Sequence, residues 1–372
     1  MSIKKKGNTW SFRIDIGKNP ETGNRRQLYK SGFTTKKAAE LAKAELLTSI
    51  KNDGYHVPSN ETLAQLMINW LETTYRHEVQ ITTFEKTVGI VTNRLIPAFK
   101  HALVREIKPL DLQLFFADRF KEGLSPAYIK TMRNILNKAF NTAITWEIID
   151  KNPMEAIKGP SIKNTKKAVW NETEIIMFLD HCEELRWKVA FNLALNTGVR
   201  RGELLALRWS NIDFKENTLL INEALTRTKE HGLLFKEPKS KNSNRKILIP
   251  ESIVELLKQL KEEQVKIKLQ LGNNYHANDL VVATYDGKPI DPRNLVRKFK
   301  QITEIAGLKK IAFHGLRHSN ATLLMNKGVN PKIVSVRLGH SNIGITLDLY
   351  SHTDLEIQKR ATESLESIFS IK

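Results

Sequence analysis

The chain has 372 residues, more than one ordinary domain holds, so two or three domains are expected. Hydrophobic residues at 41% suffice for real cores, no apolar run reaches bilayer length, and the basic start MSIKKKGNTW leads into no apolar segment, which sets aside a membrane or exported protein. Lys+Arg 59 against Asp+Glu 40 leaves a net charge of +19, spread along the whole chain instead of beside one amphipathic helix, so the expected polyanion is nucleic acid and not a lipid surface.

Residues 10–16, WSFRIDI, alternate strictly: Trp10, Phe12, Ile14 and Ile16 on one side, Arg13 and Asp15 on the other, as in a half-buried strand. KNPETGN supplies turn residues and RRQLYKSGF a second strand. Thr34 or Thr35 can then cap a helix, KKAAELAKAELLTSIKN, whose Ala and Leu positions cover the sheet. Arg13, Lys18, Arg25, Arg26 and Lys30 fall on or beside the uncovered face, either as a groove reader or as a solvated basic surface. NDGYHVPSN (52–60) reads as a linker. From 61 to about 150 the pattern is helical, in TLAQLMINWLETTY, TFEKTVGIVTNRLIPAF, LDLQLFFADRF and SPAYIKTMRNILNKAFNTAITWEII, the last with Ser125 as N-cap and Pro126 in its first turn. DKNPMEAIKGPSIKNTKK (150–167) breaks the pattern and reads as a second linker.

Beyond it the types mix. Helices are expected at about 171–196 and 201–209, strands at about 218–225, 245–250 and 280–284, and helices again from about 292. Cys182 is the single cysteine, which excludes disulfides and cysteine-based zinc sites within the chain; it falls in an apparent helix, FLDHCEELRW, as a small packed residue. The expected class is α+β and multidomain: a β-sheet-plus-helix unit at 1–56, a helical domain at 57–158, and a mixed, mainly helical domain with a small antiparallel sheet at 159–372.

Three stretches of the last region carry chemistry. In NTGVRRGELLALRW, Arg200 and Arg201 follow a Thr-Gly turn and open a helix with Glu203 in its first turn. In FHGLRHSNATLLM, His314, Arg317 and His318 stand at i, i+3 and i+4, on one face of a helix start. In VNPKIVSVRLGHSNIG, Asn330 and Pro331 mark a helix start and Gly339 its stop, and His340 projects just beyond. Guanidinium and imidazole groups at helix N-termini, beside free backbone N–H groups, suit an anion. His314 and His318 also have the spacing of a zinc pair, but Gly315 stands where the protease signature needs Glu, no Cys or carboxylate completes a ligand set, and Arg317 would repel a cation. A phosphate is the better fit, and no metal or other cofactor is expected. Downstream, in HSNIGITLDLYSH, Ile343, Leu347 and Tyr350 share a face if 343–350 is helical, which alone reads as a packed stripe.

TGVRRGELLALRW, HGLRH, LGH and a downstream tyrosine, in that order through the C-terminal half, resemble the tyrosine recombinase (integrase) family. SPAYIKTMRNILNKAFNTAITWEIIDKNP resembles that family's helical, SAM-like core-binding domain. The N-terminal unit resembles the AP2-like arm-binding domain of integrases from phages and conjugative transposons of Gram-positive bacteria. The resemblance implies that Tyr350 reacts, although Ile343 and Leu347 beside it pack. Arg200 and Arg317 would hold the non-bridging oxygens of the scissile phosphate, His314 and His340 would complete the cradle, and Glu203 would orient Arg200. It also implies a lysine early in the loop before an arginine-containing strand; FKEPKSKNSNRKILIP offers several, and that placing selects Lys239 over Lys241.

The implied activity is site-specific cutting and rejoining of DNA through a 3′-phosphotyrosyl intermediate, without metal or ATP. The implied partners are double-stranded DNA at core-type and arm-type attachment sites, a homotetramer in the synaptic complex, an excision factor and a host DNA-bending protein, in the bacterial cytoplasm at the nucleoid. Ionising a tyrosine of pKa about 10 at pH 7 costs roughly 4 kcal/mol. Two fixed guanidiniums oppose the charge that grows on the phosphorane, and the covalent phosphotyrosine conserves the diester for resealing. A type IB topoisomerase-like relaxing enzyme and a non-catalytic DNA-binding regulator are the rival readings. The separate helical and basic N-terminal modules weigh against the first, and the filled polar positions against the second. The terminal segment HTDLEIQKRATESLESIFSIK reads as a helix with Leu355, Ala361, Leu365 and Ile368 as a stripe, closing its own domain or packing on a neighbouring protomer.

Overall fold

The computed structural model describes residues 3–18, 25–53, 60–161, 168–237 and 244–350, with Thr362, Glu363, Leu365, Glu366 and Phe369 near the C-terminus. The chain divides into two compact units, Met1–Ile162 and Lys163–Lys372.

In the first unit, strands β1 (Lys4–Lys6), β2 (Thr9–Lys18) and β3 (Arg25–Phe33) form an antiparallel sheet in that order, followed by helix α1 (Lys36–Asp53). The alternation in β2 does what its period requires: Phe12 and Ile14 are buried with Ala39 of α1, and Arg13 is exposed. Thr35, not Thr34, caps α1, its Oγ1 accepting from Ala38 N at 3.1 Å. Strand β1 has no sequence signature, because three consecutive lysines carry no alternation. The turn residues 19–24 and most of the first linker, 54–59, lie outside the described residues.

The helical part begins at Thr62, which exchanges hydrogen bonds with Gln65 in a capping box. Helix α2 (Leu63–Trp70) runs through a π turn (Leu71–Tyr75) into α3 (Arg76–Glu78). Helix α4 (Ile81–Ile90) likewise runs through Val91–Leu95 into α5 (Ile96–Phe99). With α6 (Pro109–Lys121) and α7 (Pro126–Thr145) they enclose a core that includes Trp70, Leu95 and Phe140. Ser125 Oγ accepts from Tyr128 N at 3.3 Å and Pro126 is the first helical residue, as the pattern predicts. The helix stops at Thr145, short of WEII, because Glu147 turns to φ 58. The second linker is corrected in its first half: Asn152, Met154 and Ile157 are buried. Asn152 Nδ2 donates to Asn141 Oδ1 at 2.6 Å and Arg133 Nη2 to Ile157 O at 2.7 Å, so this stretch belongs to the helical bundle.

The second unit opens with α8 (Glu172–Asp180) and α9 (Leu185–Thr197), two helices where one stretch, 171–196, reads as continuous. Cys182 lies in the break and not in a helix; it is buried, its thiol donates to Phe178 O at 3.3 Å, and burial pushes its pKa up to about 12. After α10 (Arg201–Ala206) come β4 (Ile212–Asp213), β5 (Thr218–Ile221), β6 (Ala224–Thr228), β7 (Gly232–Lys236) and β8 (Arg245–Leu248), paired as an antiparallel sheet β4-β5-β8 and a hairpin β6-β7. The strand expected at 218–225 is thus two. That at 280–284 is not a strand but isolated bridges, Arg208 with Leu280 and Ala283 with Pro289. Helix α11 (Glu251–Leu271), not anticipated, buries Ile253, Val254, Leu257 and Leu260. Then follow α12 (Pro292–Ile305), α13 (His314–Asn326), α14 (Pro331–Leu338) and α15 (Gly344–Tyr350). Trp170, Phe178, Phe191 and Phe299 centre the core. Among the described residues no helix is long and apolar enough to cross a membrane.

Candidate active site

Three segments meet at the C-terminus of α9. Gly198 ends that helix at φ 63, and a Cβ there would stand 2.2 Å from Leu338 Cδ2, so only glycine lets α14 approach. The last carbonyls of α9 are taken by distant side chains: Leu195 O by Asn320 Nδ2 at 2.7 Å, Asn196 O by Arg337 Nη2 at 3.0 Å, and Gly198 O by Arg317 Nη1 at 2.7 Å. Cationic donors are favoured there because a helix C-terminus carries partial negative charge. Arg317 is held by this contact at 3% exposure. Its Nη2 is buried with no hydrogen-bond partner among the described residues, and its pKa falls to about 9, from burial first and then from the Arg200 charge.

Arg200 precedes α10, where its own backbone N–H donates to Glu203 Oε2 at 2.9 Å and its Nη1 to Glu203 Oε1 at 2.7 Å. Its Nη2 donates to Gly339 O at 2.9 Å. Glu203, at 4% exposure, also accepts from Arg245 Nη2 at 2.9 Å. Burial raises its pKa, but Arg245 and Arg200 outweigh burial and leave it below the usual carboxylate value. Arg245 is itself buried on β8, and its Nε donates to Arg337 O at 2.8 Å. In the sequence, Arg245 only marks its strand and has no expected role. The available signal was an arginine at an inward position of RKIL, a strand whose burial alternates.

Gly339 closes α14 at φ 68, as expected, and Asn330 Oδ1 opens it by accepting from Lys332 N at 2.9 Å. His340 follows, half-buried, with Nδ1 2.8 Å from Thr346 Oγ1. Burial, then the charges of Arg317 and Arg200, lower its pKa to about 4. His314 is exposed at the start of α13 and its ring meets that of His318 edge-on, centroids 4.7 Å apart.

The structure therefore brings Arg200, Glu203, Arg317 and His340 together, with His314 close enough to bear on the His340 charge. Arg201 is exposed on α10. Tyr350 ends α15; its side chain lies outside the described set, as do Lys239 and Lys241, between β7 and β8. The stripe expected on α15 is corrected at two of its three positions: Ile343 and Leu347 are exposed, and among the described side chains of α15 the buried one is Thr346. Leu355, Ala361 and Ile368 of the terminal segment are outside the described residues, and Leu365 is exposed. Three guanidiniums (Arg200, Arg317 and Arg245) surround the Glu203 carboxylate, a local positive excess that suits a phosphodiester, whose non-bridging oxygens accept charge-assisted hydrogen bonds.

On the N-terminal sheet, the register sets Arg13 opposite Tyr29 and Asp15 opposite Gln27 on the face away from α1. The Arg13 guanidinium lies 5.5 Å from the Tyr29 ring centroid, and with Lys4 and Lys6 they line a concavity of about 670 Å³. Arg25 is exposed and pairs with Asp15 at 3.7 Å. Lys30 departs from this set: it stands opposite Phe12, on the side that α1 covers. The side chains of Lys18 and Arg26 lie outside the described set.

Three family models match the chain: the phage integrase family over residues 169–356, an arm DNA-binding domain over 2–50, and the phage integrase N-terminal SAM-like domain over 62–119. A XerC-like tyrosine recombinase of Caldanaerobacter subterraneus subsp. tengcongensis is 33% identical over 355 residues, 90% of each chain. The ICEBs1 integrase of Bacillus subtilis is 26% identical over 99% of this chain and 100% of its own. Among solved structures, the Tn1549 transposon integrase in complex with transposon right end DNA has a TM-score of 0.68 at 22% identity, covering 82% of this chain and 99% of that one. A lambda integrase dimer bound to a core site has a TM-score of 0.60 at 18% identity, covering 93% of each.

Proposed function

The chain belongs to the phage integrase family and is a tyrosine-type site-specific DNA recombinase of mobile-element integration, and we propose the following division of labour among its residues. Arg200 and Arg317 hold the two non-bridging oxygens of the scissile phosphate, with His314 and His340 as further donors. The Tyr350 hydroxyl attacks phosphorus, the bond to the 5′ oxygen breaks, and Lys239 gives that oxygen its proton. The product is a 3′-phosphotyrosyl ester and a free 5′-hydroxyl. Attack by a 5′-hydroxyl of the partner duplex reverses the step and reseals the strand, so no ATP is consumed. Glu203 keeps Arg200 and Arg245 aligned. The observation that carries this reading is the buried Nη2 of Arg317, without a hydrogen-bond partner among the described residues, beside the Arg200 charge and the neutral His340 ring: fixed donors are what a developing phosphorane needs.

We divide the chain as 1–56 for arm-type sites, 57–158 for the core site and 159–372 for catalysis; the three matched ranges support that division. Arg13, Lys4, Lys6 and Tyr29 are the arm face. A tetramer on DNA is the working assembly, supported by a lambda integrase tetramer bound to a Holliday junction. An excision factor and a host DNA-bending protein, acting at the bacterial nucleoid, complete that assembly.

A suicide substrate nicked near the cleavage site tests it. Tyr350→Phe should bind the core site and form no covalent complex, and chelator should leave cleavage by the parent protein undiminished. A persistent adduct in Tyr350→Phe moves the nucleophile elsewhere. Relaxation of plasmids lacking any attachment site, without strand exchange, would favour the topoisomerase reading.

A further inference from the structure

Helix α15 spans Gly344–Tyr350, and the large apolar side chains described along it, Ile345 and Leu347, are exposed. Ile343, Ile345 and Leu347 are 42%, 44% and 46% exposed, whereas Thr346 is 0% exposed. The Thr346 backbone N–H donates to Ile343 O at 2.9 Å, and its hydroxyl makes a separate side-chain contact. That contact is His340 Nδ1, at 2.8 Å. Tyr350 follows Thr346 at i+4, which places both positions on one face of the helix. The face that meets His340 is therefore the face that carries Tyr350.

We propose that Thr346 is a positioning residue: its hydroxyl donates to His340 Nδ1, which leaves the imidazole proton on Nε2 for the phosphate and seats α15 with Tyr350 one turn further on. This rests on the reading of His340 as a phosphate donor and Tyr350 as the nucleophile. A neutral imidazole has one N–H and one lone pair. Burial and two guanidiniums keep His340 neutral, so it can donate to a phosphate oxygen from Nε2 only if Nδ1 accepts. A threonine hydroxyl can supply that donor, and its β-branched side chain has few rotamers to lose in doing so.

Two measurements decide it. The first needs no variant at position 346: nitrogen NMR of histidine-labelled full-length protein, with His340→Gln to assign the signal, should show the Nε2–H tautomer. An Nδ1–H tautomer overturns the proposal. The second is a cycle of single-turnover cleavage rates on the nicked substrate. Thr346→Val, which keeps the shape and loses the hydroxyl, should cleave roughly tenfold more slowly, about the worth of one hydrogen bond, with core-site affinity unchanged. Thr346→Ser should recover most of that rate. Adding Thr346→Val to His340→Ala should cost nothing more, because the hydroxyl acts through the ring; multiplied losses overturn the proposal. Tyr350→Phe is run beside them. An adduct there sinks the nucleophile reading while the tautomer still reports on Thr346. The wrong tautomer or multiplied losses, with the adduct gone in Tyr350→Phe, sink this proposal alone.

Discussion

Replacing Glu203 by glutamine keeps the outline of the side chain and deletes its charge. The carboxylate is 4% exposed and accepts from Arg200 N at 2.9 Å, Arg200 Nη1 at 2.7 Å and Arg245 Nη2 at 2.9 Å. An amide retains one acceptor and turns a donor toward a guanidinium. Arg245, with its side chain 5% exposed, then becomes a buried cation without a counter-charge, whereas Arg200, 40% exposed, is relieved in part by solvent. Removing one partner of a buried pair costs about 3–5 kcal/mol. At about 2–4 °C per kcal/mol for a domain of this size, calorimetry should show the second unit melting roughly 6–20 °C lower. Glu203→Gln with Arg245→Met removes the stranded cation as well and should recover most of the loss, since apolar replacement of a whole buried pair is often neutral. Sulfate should protect the single variant more than the parent, because the local positive excess has grown by one charge. The pH dependence has a definite sign. The folded pKa of Glu203 lies below its ordinary 4.5, so its contribution is complete above that pH and is lost as pH falls through the lower folded value. The gap in Tm between parent and variant should therefore be constant from neutral pH to about pH 5 and close only in stronger acid. A fall of less than about 2 °C, with the double variant no better than the single, would refute the idea that an uncompensated guanidinium is what Glu203 prevents.

His340, lowered to about 4, should titrate by NMR in the DNA-free protein far below the ordinary 6.5, and a midpoint near 6.5 would contradict the burial of its ring. Because the unfolded ring takes its proton first, the stability this histidine contributes is complete above pH 6.5 and is lost progressively toward pH 4. Removal of residues 1–56 should abolish binding to arm-type sites and spare core-site binding, with the salt slope shallower by about 0.9 for each phosphate no longer neutralised; equal affinity for both site classes after truncation would mean that this module does not read DNA. Lys239→Ala should be severely slow on normal DNA yet near parental rate when the bridging 5′ oxygen is sulfur, since a thiol of pKa about 8.5 leaves unprotonated. Recovery by Lys241→Ala in its place would identify the other lysine as the proton donor.

Local signals in the chain settle the structure wherever one or two turns of backbone suffice. The alternation of WSFRIDI buries Phe12 and Ile14, Ser125 and Pro126 open α7, and Asn330 and Gly339 bound α14. The two helix boundaries rest on a hydrogen bond or a φ angle within four residues, and the strand on its period of two. The first half of α11 carries a signal that went unread, since Ile253, Val254, Leu257 and Leu260 keep helical spacing, whereas the remaining turns leave Val265 and Leu269 exposed and show no buried stripe. Where local preference and tertiary packing disagree, packing prevails. Cys182 sits among helix formers yet turns the chain between α8 and α9, and 150–161, rich in Pro and Gly, lies in part against the bundle because Asn152 finds partners there.

The order of residues alone pointed to the groups proposed to handle a phosphate: arginines, histidines and a tyrosine, marked by the motifs that contain them. Tertiary structure decided how those groups are held. Arg245 reaches Glu203 from 42 residues away and Arg337 O from 92, and Asn320 reaches the end of α9 from 125. It also decided that α15 docks through Thr346 instead of through Ile343 and Leu347. The physical reason is that desolvation belongs to the folded whole. A guanidinium or a hydroxyl has no need of a particular partner in water, and acquires one only when burial makes an unpaired polar group costly.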